Sequence, residues 1–256
     1  MDESGGGPMN DFFDAIDFIF SERESPAGGS QVGGLGEIWE LMWPHLQLSG
    51  AAMAIACAFA IPVGLWLGHV GKGGFLAINA SNVGRAVPSL ALIAFFVAYL
   101  GTGFANLTLA LVLLAIPPIL TNAYTGVRQV DRETVDAARG MGMTGSQVVR
   151  RVELPLALPL IFGGIRISAV NVVATATIAP LAGVTTLGDP IINVNTYGDE
   201  GRLAAALVVA LLAVVTELVL GAVQRAVTPQ GLKLEAGGRW RRLAFAMPNN
   251  RREAPT

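Results

Sequence analysis

Charge is scarce in this chain. Asp, Glu, Lys and Arg together make up 14% of 256 residues, while hydrophobic residues make up 52%; a soluble domain carries about a quarter charged residues. So few charges cannot wrap a soluble core, and lipid is the solvent that the composition points to. The formal net charge is −2 and the bases form no single stripe, so no nucleic acid is expected as a partner. Cysteine is nearly missing as well. Cys57 lies alone in an apolar run, without a partner for a disulfide or a metal site, and reads as a small packed hydrophobe. His45 and His69 have no carboxylate or cysteine at ligand spacing and read as interfacial histidines, so no metal is expected. The chain opens on Asp2 and Glu3 rather than on a basic region followed by an apolar one, which argues against a cleavable signal. No Gly-rich loop ends in Gly-Lys-Ser or Gly-Lys-Thr. Gly71-Lys72-Gly73-Gly74 lacks the spacing of a phosphate cradle, so this chain is not expected to hydrolyse ATP by itself or to act as an enzyme.

What is present is a series of long apolar runs. Crossing a bilayer takes roughly 20 mostly apolar residues in a helix, and such runs lie at about 48–70, 75–100, 104–126, 157–182 and 203–225. The expected fold class is therefore an all-α integral membrane protein with about five transmembrane helices. Gly71-Lys72-Gly73-Gly74 and Gly101-Thr102-Gly103 are short turns of the kind that join antiparallel neighbours.

Orientation follows from Lys and Arg, which collect on the cytoplasmic side. The first 44 residues hold Asp2, Glu3, Asp11, Asp14, Asp17, Glu22, Glu24, Glu37 and Glu40 against the single base Arg23. The tail after the fifth span holds Arg225, Lys233, Arg239, Arg241, Arg242, Arg251 and Arg252 against Glu235 and Glu253. An extracellular N-terminal segment (1–44), a transmembrane domain (45–228) and a cytoplasmic C-terminal tail (229–256) are expected, in a multi-pass membrane protein. Five spans then place 127–156 inside and 183–202 outside. Phe12, Phe13, Ile16, Phe18, Ile19 and Phe20 fit a short amphipathic helix on the outer membrane surface, or else a frayed tail; Pro26 to Gly36 reads as a flexible linker.

The inner loop is polar but specific in its spacing. Asp131 to Arg139 reads as a short helix with acids toward its start, Gly140 and Gly142 break it, and Ser146 to Val152 forms a second turn before Pro155. Small Ala137 and Ala138 would let another protein's groove approach the backbone. The residues alone also admit an ordinary amphipathic connector.

Asp136-Ala137-Ala138, then Gly142, then Val152, Leu154 and Pro155 resembles the "EAA" signature of importer-type ABC permeases, with Asp for the usual Glu and Val for the usual Ile. The likeness covers roughly residues 45–228. Arg85-Ala-Val-Pro88-Ser89-Leu90, Pro117-Pro118-Ile-Leu-Thr121-Asn122, Gly140-Met-Gly142-Met143-Thr144 and Gly164-Ile165-Arg166 are similar to permeases for glycine betaine, choline and related osmoprotectants. Methionine-importer permeases share the spans and the loop; the pattern around Pro88 and Asn122 favours the osmoprotectant branch. The resemblance implies a type I ABC importer-like permease in a bacterial plasma membrane. In it Glu133, Asp136, Ala137, Ala138, Arg139, Gly140, Gly142, Leu154 and Pro155 belong to the loop that docks on an ATP-binding subunit. It further implies two copies of that subunit carrying ATP and Mg, a second permease subunit, identical or paralogous, an extracellular solute-binding protein, and no cofactor on this chain.

Pro88, Ser89, Phe95, Phe96, Tyr99 and Asn122 are candidates to line the solute path, with proline freeing a carbonyl in the second span; packing and lipid contact are the alternative. Arg85, Arg166 and Glu217 are rare ionisable groups in or near the spans. Arg166 and Glu217 are expected to form an ion pair, structural or in the path, while Arg85 snorkels to the inner surface. The loop Gly183 to Pro190 is a gate or docking surface, or a tight turn that only packs. A secondary transporter is the competing class, but it would carry intramembrane acids and commonly an inverted repeat, and Glu217 is the only candidate acid.

Overall fold

The computed structural model describes residues 8–71, 74, 79 and 87–228. Among them, Gly34–Val70, Phe104–Arg128, Gly145–Ala182 and Val194–Val227 are long and apolar enough to cross a membrane. A shorter apolar helix, Ser89–Leu100, lies within the expected second span. Much of the rest of that span, including Arg85, and the tail after residue 228 lie outside the described residues. In chain order the elements are α1 (Pro8–Phe20), β1 (Glu22–Glu24), β2 (Gln31–Gly33), α2 (Gly34–Val70), α3 (Ser89–Leu100), α4 (Phe104–Arg128), α5 (Arg132–Gly140) and α6 (Gly145–Val148). A π-helical turn, Val149–Glu153, leads into α7 (Leu154–Thr175), followed by a 3-10 segment (Ala176–Ala182), α8 (Asp189–Ile192) and α9 (Val194–Val227).

The bundle is organised around α4, which packs on α2 and on α7. On α2, Leu48, Ala52, Ala56, Ala60, Gly64 and Gly68 recur every four residues and all are buried, so one narrow stripe of small residues faces the neighbour. Backbones then approach closely, the usual basis of helix association where lipid removes the hydrophobic drive. A Cβ on Gly64 would lie 2.6 Å from Ala123 Cβ, and one on Gly68 2.6 Å from Val127 Cβ. On the other side of α4, a Cβ on Gly164 would lie 2.8 Å from Asn122 Cβ. Leu107, Leu111, Ile119 and Val172 complete the central apolar cluster.

The N-terminal region differs from the expectation. The aromatic-rich stretch is helix α1, as one alternative had it, and it is packed rather than frayed: Ala15 and Phe18 are buried against Ala204 of α9, while Phe12, Phe13 and Phe20 stay exposed. The expected flexible linker at 26–36 is the turn and second strand of a hairpin, paired Glu22↔Gly33, Arg23↔Val32 and Glu24↔Gln31, followed by the first residues of α2. Its composition suits a turn, with Gly28 and Gly29 at positive φ, but Val32 is buried beneath α1, which fixes the strand. Helix α2 starts at Gly34 rather than near 48 and passes unbroken through the expected boundary at 44/45. Exposed Trp39 and Trp43 stack at 6.5 Å on its first turns, the aromatic character of a membrane interface.

Candidate functional site

The loop between α4 and α7 is built by local capping. Asp131 caps α5, its carboxylate accepting the Glu133 N–H at 2.8 Å. Glu133 lies in the first turn and Arg139 in the last, matching the helix dipole at both ends. The helix closes with Met143 N–H donating to Ala138 O at 3.2 Å around Gly142, whose φ is +85°; only glycine takes that left-handed conformation without strain. Thr144 and Gln147 then form a capping box that starts α6.

This geometry sorts the loop residues. Glu133, Asp136, Ala137, Arg139 and Gly140 are exposed, as are Met141 and Gly142. Ala138, by contrast, is only 2% exposed, so Ala137 is the alanine that α5 leaves open. Leu154 and Pro155 are half-buried where α7 begins.

Below the loop lies a contact that sequence reasoning missed. Glu153, 4% exposed, meets His69 at the last turn of α2, with Nδ1 2.8 Å from Oε2. His69 is thus partnered rather than isolated. A buried acid needs a partner, but nothing local points to a residue 84 positions away. A cavity of about 390 Å³ between the loop and the ends of α2 and α4 is lined by His69, Glu153, Asp136, Arg128, Arg132 and Arg139, among others. His45 is likewise not alone. It is fully buried in α2, its Nε2 3.0 Å from Val173 O on α7.

Of the groups read as candidates for the solute path, Phe95 and Tyr99 are exposed with ring centroids 4.6 Å apart, whereas Phe96 packs on the central cluster. Asn122 donates to Pro118 O at 2.8 Å, in the contact between α4 and α7. Pro88 does not kink the middle of a described helix. It precedes α3, and its carbonyl accepts Leu92 N–H at 3.1 Å, as suits a residue that lacks a donor. On the facing sides of α7 and α9, Arg166 Nη2 pairs with Glu217 Oε1. Arg166 Nη1 donates to Gln224 Oε1 at 2.7 Å, and Gln224 Nε2 to Pro159 O at 3.0 Å.

At the opposite end of the bundle from α5, the loop at 183–190 is folded inward. Thr186 and Leu187 are fully buried, and Thr186 Oγ1 donates to Ala176 O at 3.1 Å. A Cβ on Gly188 would lie 1.8 Å from Thr177 O, so the turn is packed against the 3-10 segment. Asp189 accepts Thr186 N–H at 2.7 Å. Burial pushes its carboxyl above the ordinary carboxylate value, and that hydrogen bond offsets the shift only in part.

Residues 60–229 match the family model described as binding-protein-dependent transport system inner membrane component. The chain is 38% identical over 199 residues to the glycine betaine/carnitine/choline transport system permease protein OpuCB of Bacillus subtilis, covering 77% of this chain and 92% of that one. It is 40% identical over 192 residues to the carnitine transport permease protein OpuCB of Listeria monocytogenes, covering 75% and 88%. Among solved structures, an inward-facing conformation of the MetNI methionine ABC transporter aligns with a TM-score of 0.65 at 21% identity, over 76% of this chain and 98% of that one.

Proposed function

Because the chain belongs to the binding-protein-dependent transport system inner membrane component family, we propose that it is the permease subunit of an ATP-driven importer for glycine betaine, choline, carnitine or related osmoprotectants. The observation that carries this reading is the α5 turn, where Asp136, Ala137 and Gly142 stand exposed on a rigidly capped helix. The solute class rests on the relatives that bear those names at 38–40% identity.

In this reading the N-terminus faces outside and the C-terminus the cytoplasm. An extracellular binding protein delivers solute, a second permease copy or paralogue completes the pathway, and two ATP-binding subunits grip α5. Closure of those subunits on ATP and Mg moves α5, and the movement reaches the spans through α7 and through the His69–Glu153 contact with α2. Alternating access follows from such a shift between two packed arrangements.

Uptake of labelled glycine betaine by salt-stressed cells, with and without the gene, tests the reading. Loss of uptake on deletion, with competition by unlabelled choline but not methionine, is expected. Unchanged betaine uptake with lost methionine uptake would instead assign the chain to methionine import.

A further inference from the structure

The Arg166–Glu217 pair borders an open groove of about 680 Å³ between α7 and α9. Gly163, Val170, Asn171 and Ala213 are among its other lining residues. At a rise of about 1.5 Å per residue, Arg166 stands about 18 Å along α7 from Leu154, well within the depth of a bilayer. Its side chain is 33% exposed and that of Glu217 39%. Hydrocarbon is a poor neighbour for two partly bare charges, and intramembrane ions face a water-filled cavity or a polar surface instead. The guanidinium is also incompletely used: Nε is buried and has no hydrogen-bond partner, a donor that ordinarily demands one.

Resting on the osmoprotectant reading above, we infer that this groove is a transit site for a zwitterionic solute, with Arg166 receiving the carboxylate and Glu217 facing the quaternary ammonium. A guanidinium recognises carboxylate through two parallel N–H bonds. A quaternary ammonium donates no hydrogen bond, so it needs only an opposing charge and apolar surface, which Glu217 and the neighbouring Ala213 and Val214 provide. Small Gly163 and Ala213 keep the groove open beside the pair. Entry of the solute exchanges one ion pair for two contacts of the same kind. Net binding is therefore weak, as transit requires: favourable enough to enter, loose enough to leave.

Choline carries the cation without the carboxylate, so it separates this role from a structural one. Maximal uptake of labelled glycine betaine and labelled choline is compared in deletion cells complemented with wild type, Arg166→Lys or the double variant Arg166→Gln/Glu217→Gln. The double variant keeps hydrogen-bonding groups on both helices and removes both charges. Its betaine-to-choline ratio is expected to fall by about tenfold or more, the worth of a charge-assisted hydrogen bond, while Arg166→Lys holds the ratio nearer wild type. An unchanged ratio in the double variant, including an equal loss for both solutes, overturns the transit site and leaves the pair a packing element. Wild-type cells that take up neither solute overturn the osmoprotectant reading itself, and the transit site with it.

Discussion

His69 Nδ1 lies 2.8 Å from Glu153 Oε2, joining the end of α2 to the residue just before Leu154-Pro155. Glu153 is buried, and among the described residues His69 is its ion-pair partner. Replacing His69 with Ala strands that carboxylate. The protein should lose about 1–3 kcal/mol of stability, read as a lower midpoint of thermal unfolding in detergent, and uptake should fall with it. Glu153→Gln keeps an acceptor for the imidazole and should cost less than His69→Ala.

Gly142 offers a sharper test of the loop. An added Cβ meets nothing within 4 Å, so crowding is not the reason for glycine; its φ of +85° is. Gly142→Val should impose roughly 1–2 kcal/mol of backbone strain and reorient α5, abolishing uptake while the protein still inserts. Gly142→Asn, which visits the left-handed region more readily, should retain much of the activity. Equal loss in both variants would mean that the partner surface, not the turn, requires glycine.

The contact between α2 and α4 makes the opposite prediction, because there the space is closed. Gly64→Ala places a methyl 2.6 Å from Ala123 Cβ and 2.9 Å from Leu120 O. Separation of the two helices should cost about 1–3 kcal/mol, and Gly64→Leu should abolish stable insertion. Yield of monodisperse protein in detergent reads both. Gly36, on the same helix but with open space around it, should accept Ala without loss.

Asp189 supplies a pH dependence. Its carboxyl is raised above the ordinary 3.8 by burial. Because the folded value is the higher one, the protonated form favours folding: that contribution is fully present below 3.8 and is lost as pH rises through the raised value. Asp189→Asn should remove this acid-side gain and leave stability flat across that window. Asp189→Ala removes the acceptor for Thr186 N–H as well and should lower stability at every pH, by about 1 kcal/mol. Thermal unfolding measured from pH 4 to 8 distinguishes the two.

Much of this molecule is written locally. The long spans follow from composition, and α5 runs close to its expected limits because Asp131 and Gly142 punctuate the chain where they stand, although Gly140, expected to break the helix, is its last helical residue. Arg166 and Glu217 were legible as partners because lone charges in lipid are rare. What was not legible depends on distant pieces. His69 and Glu153 each look ordinary until α2 is brought against the start of α7, and so does His45 until Val173 of α7 is placed beside it. The stretch from Pro26 to Gly36 has a linker's composition, and Val32 becomes a strand residue only because Ala15 and Phe18 cover it. Ala137 and Ala138 look alike in the sequence, and only the phase of a helix of 9 residues fixes which of the two is buried.

The hairpin carries a mechanical consequence. Ser25 Oγ donates to Thr196 O at 2.7 Å, Arg23 Nη1 lies 3.4 Å from Glu200 Oε2, and these contacts fall on either side of the bend at Gly198 in α9. The first and last long helices are therefore riveted together at the end of the bundle remote from α5. The N-terminal segment thus closes that rim as a clasp rather than trailing from it, and the hairpin that feeds α2 is held by the helix that ends the bundle.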